Sequence, residues 1–146
     1  MDVTEYFKVV SVSDHVVHLV NSGFWSDEVA EQIGNAIVSD FRKAAREAAR
    51  EGPFIVLADL RRLEVLSRQA RLALSRVMSC AKAYGMYRAV EVVPNAITRL
   101  SIRDAAALTG TPDFRIALTS MEEALETVET LKQELLATAP AESSTT

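Results

Sequence analysis

Residues Phe54 to Leu60 read FIVLADL, a nearly unbroken apolar run. A run of that length suits a strand covered on both faces, as in a parallel sheet. Helical periodicity lies on either side of it. Before it, Val29, Ile33, Ala36, Ile37, Phe41, Ala44, Ala45 and Ala48 recur at spacings of three and four. After it, Ala70, Leu74, Val77, Met78 and Ala81 do the same. A buried strand between two amphipathic helices commits the chain to an α/β architecture with crossover helices.

The alternation extends in both directions. Tyr6–Val12 and His15–Val20 read as an antiparallel hairpin turning at Ser13-Asp14. Ser26 is the expected N-cap of the first helix, and Gly52-Pro53 stops it. Ser67 is the expected cap of the second helix, which Gly85 ends. Tyr87–Val93 is a strand stopped by Pro94. Asn95 caps a third helix carrying Ile97, Leu100, Ala107 and Leu108, closed by Gly110 and Pro112. Phe114–Leu118 is a last short strand. Ser120 and Glu123 form a capping box before a helix with Met121, Leu125, Val128, Leu131 and Leu135 inward. The order is ββαβαβαβα: a mixed, mainly parallel five-stranded sheet with four helices. Residues 1–138 are expected to form one domain, and 139–146 a disordered tail.

Composition removes several functions. No apolar run approaches the ~20 residues of a membrane span. The first twenty residues have no basic start followed by an apolar block, so a cytoplasmic protein is expected. One cysteine, Cys80, leaves neither an intrachain disulfide nor a thiolate zinc site. No metal and no cofactor is expected. The net charge of −4 argues against general nucleic-acid binding. That total hides a segregation. Residues 61–88 hold seven bases and one acid, a local +6, which leaves −10 elsewhere. The acids concentrate near the end, at Glu122, Glu123, Glu126, Glu129, Glu134 and Glu142.

Catalytic sets are missing. Cys80 falls inside a helix and reads as a buried structural thiol. His15 and His18 point to opposite faces if both lie on one strand. Glycines Gly23, Gly34, Gly52, Gly85 and Gly110 form no phosphate loop. Gly34 inside a helix either admits a close neighbour or is merely tolerated. Asp59 ends the buried strand, where it faces a ligand or accepts from Arg61 or Arg62. Phe24 and Trp25 precede the first helix; they form an exposed anchor, or one of them closes the core. On the second helix, Arg68, Arg71, Ser75, Ser79 and Lys82 fall on one stripe with Arg76 beside it.

The element order and several phrases resemble the STAS domain, the fold shared by sulfate transporters and anti-sigma-factor antagonists. IVLADLRRLEVLSRQARLAL, Ile55 to Leu74, looks like that family's third strand entering its second helix. Asp59 stands where the family places an aspartate. LTG at Leu108–Gly110, then Phe114 and SMEEAL at Ser120–Leu125, look like its closing segment. The resemblance spans about residues 5 to 135. Phosphorylatable members carry an Asp-Ser-Ser-Gly-like sequence at the start of the second helix. Here the matching residues are Ser67-Arg68-Gln69-Ala70, so the acceptor position holds Arg68. A divergent, SpoIIAA-like branch fits better than a regular anti-sigma-factor antagonist.

The resemblance implies a non-enzymatic regulatory module of bacterial signalling, docking a protein through the start of the second helix. The expected contact set is Asp59, Arg61, Arg62, Ser67, Arg68, Arg71 and Ser75. The expected partner has an acidic surface and is a kinase-like or other regulatory protein. Ser67, Ser75 and Ser79 are candidate phosphorylation sites. Two alternatives stay open. The protein self-assembles as a homodimer or scaffold, through basic helix 2 and acidic helix 4 or through Phe24 and Trp25. Or it carries a small apolar ligand such as a lipid near Trp25, Ile33 and Ile37.

Overall fold

A computed structural model of the chain describes residues 3–107 and 114–143. After a 3-10 turn at Val3–Glu5, the elements are β1 (Phe7–Ser13), β2 (Val16–Gly23), α1 (Ala30–Ala49), β3 (Phe54–Leu63), α2 (Arg68–Ala83), β4 (Met86–Val92), α3 (Ala96–Ala107), β5 (Arg115–Leu118) and α4 (Met121–Ser143). The five strands stand in sequence order, β1-β2-β3-β4-β5. β1 is antiparallel to β2, and the other three pairings are parallel.

That order decides where the helices go. Each crossover from β2 to β5 steps one strand in the same direction. Right-handed crossovers of this kind lay α1, α2 and α3 on one face. α4, which follows the last strand, covers the other. The pleat of β3 shows both layers. Phe54, Val56, Ala58 and Leu60 join the core under α1 and α2, while Ile55 and Leu57 join Val90, Val92 and the Ala124, Val128, Leu131, Leu135 stripe of α4. The unbroken apolar character of Phe54–Leu60 follows from this double cover. Basic α2 and acidic α4 therefore lie on opposite sides of the sheet. Among β2–β5 the strand order never reverses, so Asp59 does not border the switch-point crevice in which open α/β sheets collect ligands.

Several local expectations change. The hairpin turns at Asp14-His15, not Ser13-Asp14. Ser13 pairs with Val16, and both turn residues have positive φ, 52° and 63°. A two-residue hairpin needs that left-handed conformation to match strand twist, and Asp and His tolerate it better than branched residues. His15 is thus a turn residue, 3.4 Å through Nδ1 from the Pro53 carbonyl. Asp14 accepts from Lys132 Nζ at 2.8 Å and ties the hairpin to α4. Ser26 is not the cap of α1. Its carbonyl accepts from the Val29 and Ala30 amides, so a separate turn precedes the helix. Ser67 and Asn95 do cap, taking the Ala70 amide at 3.2 Å and the Thr98 amide at 2.8 Å.

Two helical stripes depart in part from their expected setting, although Val128, Leu131 and Leu135 of α4 are buried as expected. On α3, Thr98, Ile102, Ala105 and Ala106 are buried, while Ile97 and Leu100 are exposed. On α4, Ala124 is buried and Leu125 is exposed. α4 also continues to Ser143, into the stretch expected to be a tail. The expected α3 closure at Leu108, Gly110 and Pro112, and residues 144–146, lie outside the described residues. Among those described, no helix is long and apolar enough to cross a membrane.

Gly34 is where α1 meets α2. A Cβ built on it would stand 2.8 Å from Ala73 Cβ and 2.8 Å from the Arg76 guanidinium. Of the two readings open in the sequence, close approach of another helix is the one the structure shows.

Candidate functional site

Asp59 does not end its strand as expected: β3 runs on to Leu63, and Asp59 sets the stretch that leads toward α2. Its Oδ1 accepts from the Arg61 amide at 3.1 Å and from Arg61 Nε at 2.9 Å, and its Oδ2 accepts from the outer guanidinium nitrogen at 2.8 Å. These bonds hold the Asp59 carboxyl below the usual carboxylate range, against an opposing push from burial. The Asp59 side chain is only 15% exposed while that of Arg61 is 51% exposed. Asp59 therefore orients Arg61. Because its pKa is depressed, its stabilising contribution is present above the ordinary value of 3.8 and disappears as pH falls through the lower, folded-state value. Asp59→Asn is expected to lower stability near neutral pH and to flatten that part of the acid unfolding profile. An unchanged acid limb contradicts the pairing.

Beyond Arg61, the chain exposes Arg62, Glu64, Val65 and Arg68. An open groove of about 440 Å³ lies here, lined by Phe24 after β2, Arg61 to Leu63 at the end of β3 with Glu64 and Val65 just beyond, and Pro94, Asn95 and Thr98 at the start of α3. Three loops at the C-terminal edge of the sheet thus meet. Phe24 is 53% exposed and Val65 is 50% exposed, so two apolar side chains stand among arginines.

The rest of the expected contact set divides. Arg71 is half-buried and donates to the Leu66 carbonyl at 3.1 Å, bracing the loop. Ser75 is buried and donates to the Leu72 carbonyl at 2.7 Å. The stripe drawn through Arg68, Arg71, Ser75, Ser79 and Lys82 is thus not one solvated face. The exposed residues are Arg68, Gln69, Leu72, Arg76, Ser79, Lys82 and Ala83. Among the three candidate phosphorylation sites, Ser75 is out of reach of solvent, Ser67 is half-buried and Ser79 is exposed. Ser67→Ala is expected to cost about 1 kcal/mol of stability through the lost cap. Denaturant unfolding checks this, and a loss near zero would contradict the cap.

Phe24 and Trp25 part company. Trp25 is 1% exposed and donates through Nε1 to the Ser22 carbonyl at 3.2 Å. Ile33 and Ile37 are fully buried in the same core. The space expected behind α1 is therefore filled by the residues named for it. A cavity of about 50 Å³ lies elsewhere, beside Phe41, Leu74 and Met86. It is small against the roughly 150 Å³ that takes benzene. Its polar end holds Asn21, Glu91 and Arg115. Glu91 and Arg115 form a buried ion pair, and burial pushes the Glu91 carboxyl up while Arg115 opposes it. Among the described residues, Asn21 Oδ1 and Arg115 Nε find no hydrogen-bond partner. Cys80 is half-buried rather than buried, and its thiol is raised by burial, away from a reactive thiolate. No group of three metal-ligating side chains stands together among the described residues.

No family model and no curated protein matches the sequence. Solved structures do. The anti-sigma factor antagonist SpoIIAA in its unphosphorylated form superposes with a TM-score of 0.54 at 17% identity, covering 85% of this chain and 96% of that one. The NMR structure of the protein TM1081 gives 0.51 at 17% identity, covering 86% and 89%. The fold of this chain is STAS-like.

Proposed function

We propose that the protein is a non-enzymatic regulatory module that captures an acidic protein surface at the C-terminal edge of its sheet. The contact residues are Arg61, Arg62 and Arg68, with Phe24 and Val65 as apolar anchors. One observation carries this reading: exposed Phe24 and Val65 lie in one groove with Arg61 and Arg62, and Glu64 is its single acid. An apolar centre with a charged rim is the usual anatomy of a protein interface. Asp59, Ser67 and Arg71 hold this surface in shape from behind. The partner is a kinase-like or other regulatory protein, in keeping with the resemblance to anti-sigma-factor antagonists. Phosphorylation at Ser67 would place a dianion at the start of α2 beside Arg68 and reduce the positive charge of the rim.

Arg62→Glu combined with Arg68→Glu tests the reading. Capture of the partner from source-cell extract is expected to fall sharply at low and moderate salt, with the melting temperature unchanged. Equal capture by the parent and the variant would contradict it.

Self-assembly keeps one observation in its favour. Basic α2 and acidic α4 face opposite ways, which suits head-to-tail stacking of copies. Light scattering decides: mass that falls with rising salt supports stacking, and one monomeric mass at all ionic strengths excludes it.

A further inference from the structure

The molecule has a second cationic feature, separate from the docking edge and independent of that reading. α1 and α2 touch at Gly34 and Ala73. Beyond this contact lies a groove of about 580 Å³, lined by Asn35, Val38, Arg42 and Arg46 from α1 and by Arg76, Ser79, Cys80, Ala83 and Tyr84 from the α2 side. It contains three arginines and no acid. All three are exposed, and among the described residues none is paired with a carboxylate. Arg42 reaches across to the Cys80 thiol, and Arg76 makes only a 3.4 Å bond to the Glu31 carbonyl. Most of their donors remain free for a ligand.

The sequence spacing makes the arrangement costly. Arg42, Arg46 and Arg50 follow one another at i,i+4. Like charges at that spacing destabilise a helix by about 0.2–0.5 kcal/mol per pair. No acid occupies the i±3 or i±4 positions of Arg42, Arg46 or Arg76. Favourable interaction with the helix dipole reaches only the last turn, so it accounts for Arg46 but not for Arg42. A bound anion would relieve this repulsion. Guanidinium forks offer paired N–H donors that match phosphate oxygens, and the Ser79 hydroxyl adds another donor.

We infer that the α1–α2 groove is a binding site for a phosphate dianion, free or carried on a small molecule as a monoester or pyrophosphate group. Arg42 and Arg46 hold it from one wall and Arg76 from the other.

The test titrates the full chain with inorganic pyrophosphate, phosphate, sulfate and citrate at constant ionic strength, following arginine side-chain and amide NMR signals. Pyrophosphate is expected to give saturable shifts at Arg42, Arg46, Arg76 and Ser79, with sulfate and citrate weaker. Phosphate matching pyrophosphate would mean that one dianion fills the site; phosphate binding more weakly would mean that a linked pair does. Arg42→Gln/Arg46→Gln/Arg76→Gln is expected to weaken binding by about tenfold or more. The same variant should unfold at an equal or higher temperature in low salt, because the like charges are gone. Arg103→Gln, an exposed arginine on α3, should change nothing. Non-saturating shifts, equal binding by the triple variant, or preference for citrate would overturn the inference.

Discussion

Replacing Gly34 with leucine is expected to lower unfolding stability by about 3 kcal/mol, the upper end for overpacking a close-packed interior. The obstacle is Ala73, not a movable chain end. The built Cβ meets Ala73 Cβ at 2.8 Å and Ala73 Cα at 3.3 Å, and Ala73 is 1% exposed. The Arg76 guanidinium, also at 2.8 Å, can swing away. Gly34→Ala is a milder version. It gains about 1 kcal/mol of helix propensity, which offsets part of the clash. Ala73→Gly in the same chain should then relieve the contact from the other side. Denaturant unfolding of the two single variants and the pair reads the coupling. A pair more stable than the sum of its parts by about 1 kcal/mol is expected for residues in contact. Strict additivity would mean that the helices do not meet here.

The second large effect concerns the ion pair between β4 and β5. Arg115→Met should destabilise the protein by about 3–5 kcal/mol, because it leaves Glu91 buried without its cation. Ala89 pairs with Arg115 in the sheet, so Glu91, two residues on, points to the same face. Both side chains are less than a tenth exposed. Burial already raises the Glu91 carboxyl, and losing Arg115 removes what holds it down. A carboxyl with a raised folded-state pKa destabilises least below its unfolded value and progressively more as pH rises through the folded value. Arg115→Met should therefore lie closer to the parent at pH 4 than at pH 8. Adding Glu91→Leu should restore most of the loss, since two apolar residues can replace a buried pair at little cost. A loss independent of pH, with no recovery in the double variant, would show that the pair is not the cause.

Much of the fold is legible in the sequence, because burial on both faces writes long apolar runs and one-sided burial writes helical periods. The run at Phe54–Leu60 placed the central strand, and the alternation around it gave the order of elements. What sequence hides is whatever depends on two distant segments. Glu91 is a lone acid in the apolar run Tyr87–Val93, and Arg115 a lone base in the short last strand. Each is a signal, but only the β4–β5 register joins them. Ser75 looks like part of a solvated stripe until the α1–α2–α3 layer covers its side of α2. The arginine groove combines Arg42 and Arg46 with Arg76, some thirty residues later, so a search confined to the basic stretch 61–88 passes over it. Leu125, Ile97 and Leu100 mislead in the opposite sense. Their neighbours Ile102, Ala105, Ala106 and Ala124 take the buried positions instead.

The docking surface is only partly legible for the same reason. Arg61, Arg62 and Arg68 stand out as charges in sequence. Phe24 joins them only because β2 and β3 are parallel neighbours, with Gly23 in register with Leu63. Asp59 and Arg71 carry the right chemistry, yet their bonds turn inward to the loop.

Hydrogen-exchange footprinting of the protein with its captured partner locates the docking surface. Added protection is expected at residues 24 and 61–68, with little change along α4. Protection along α4 and none at the 61–68 loop would contradict it.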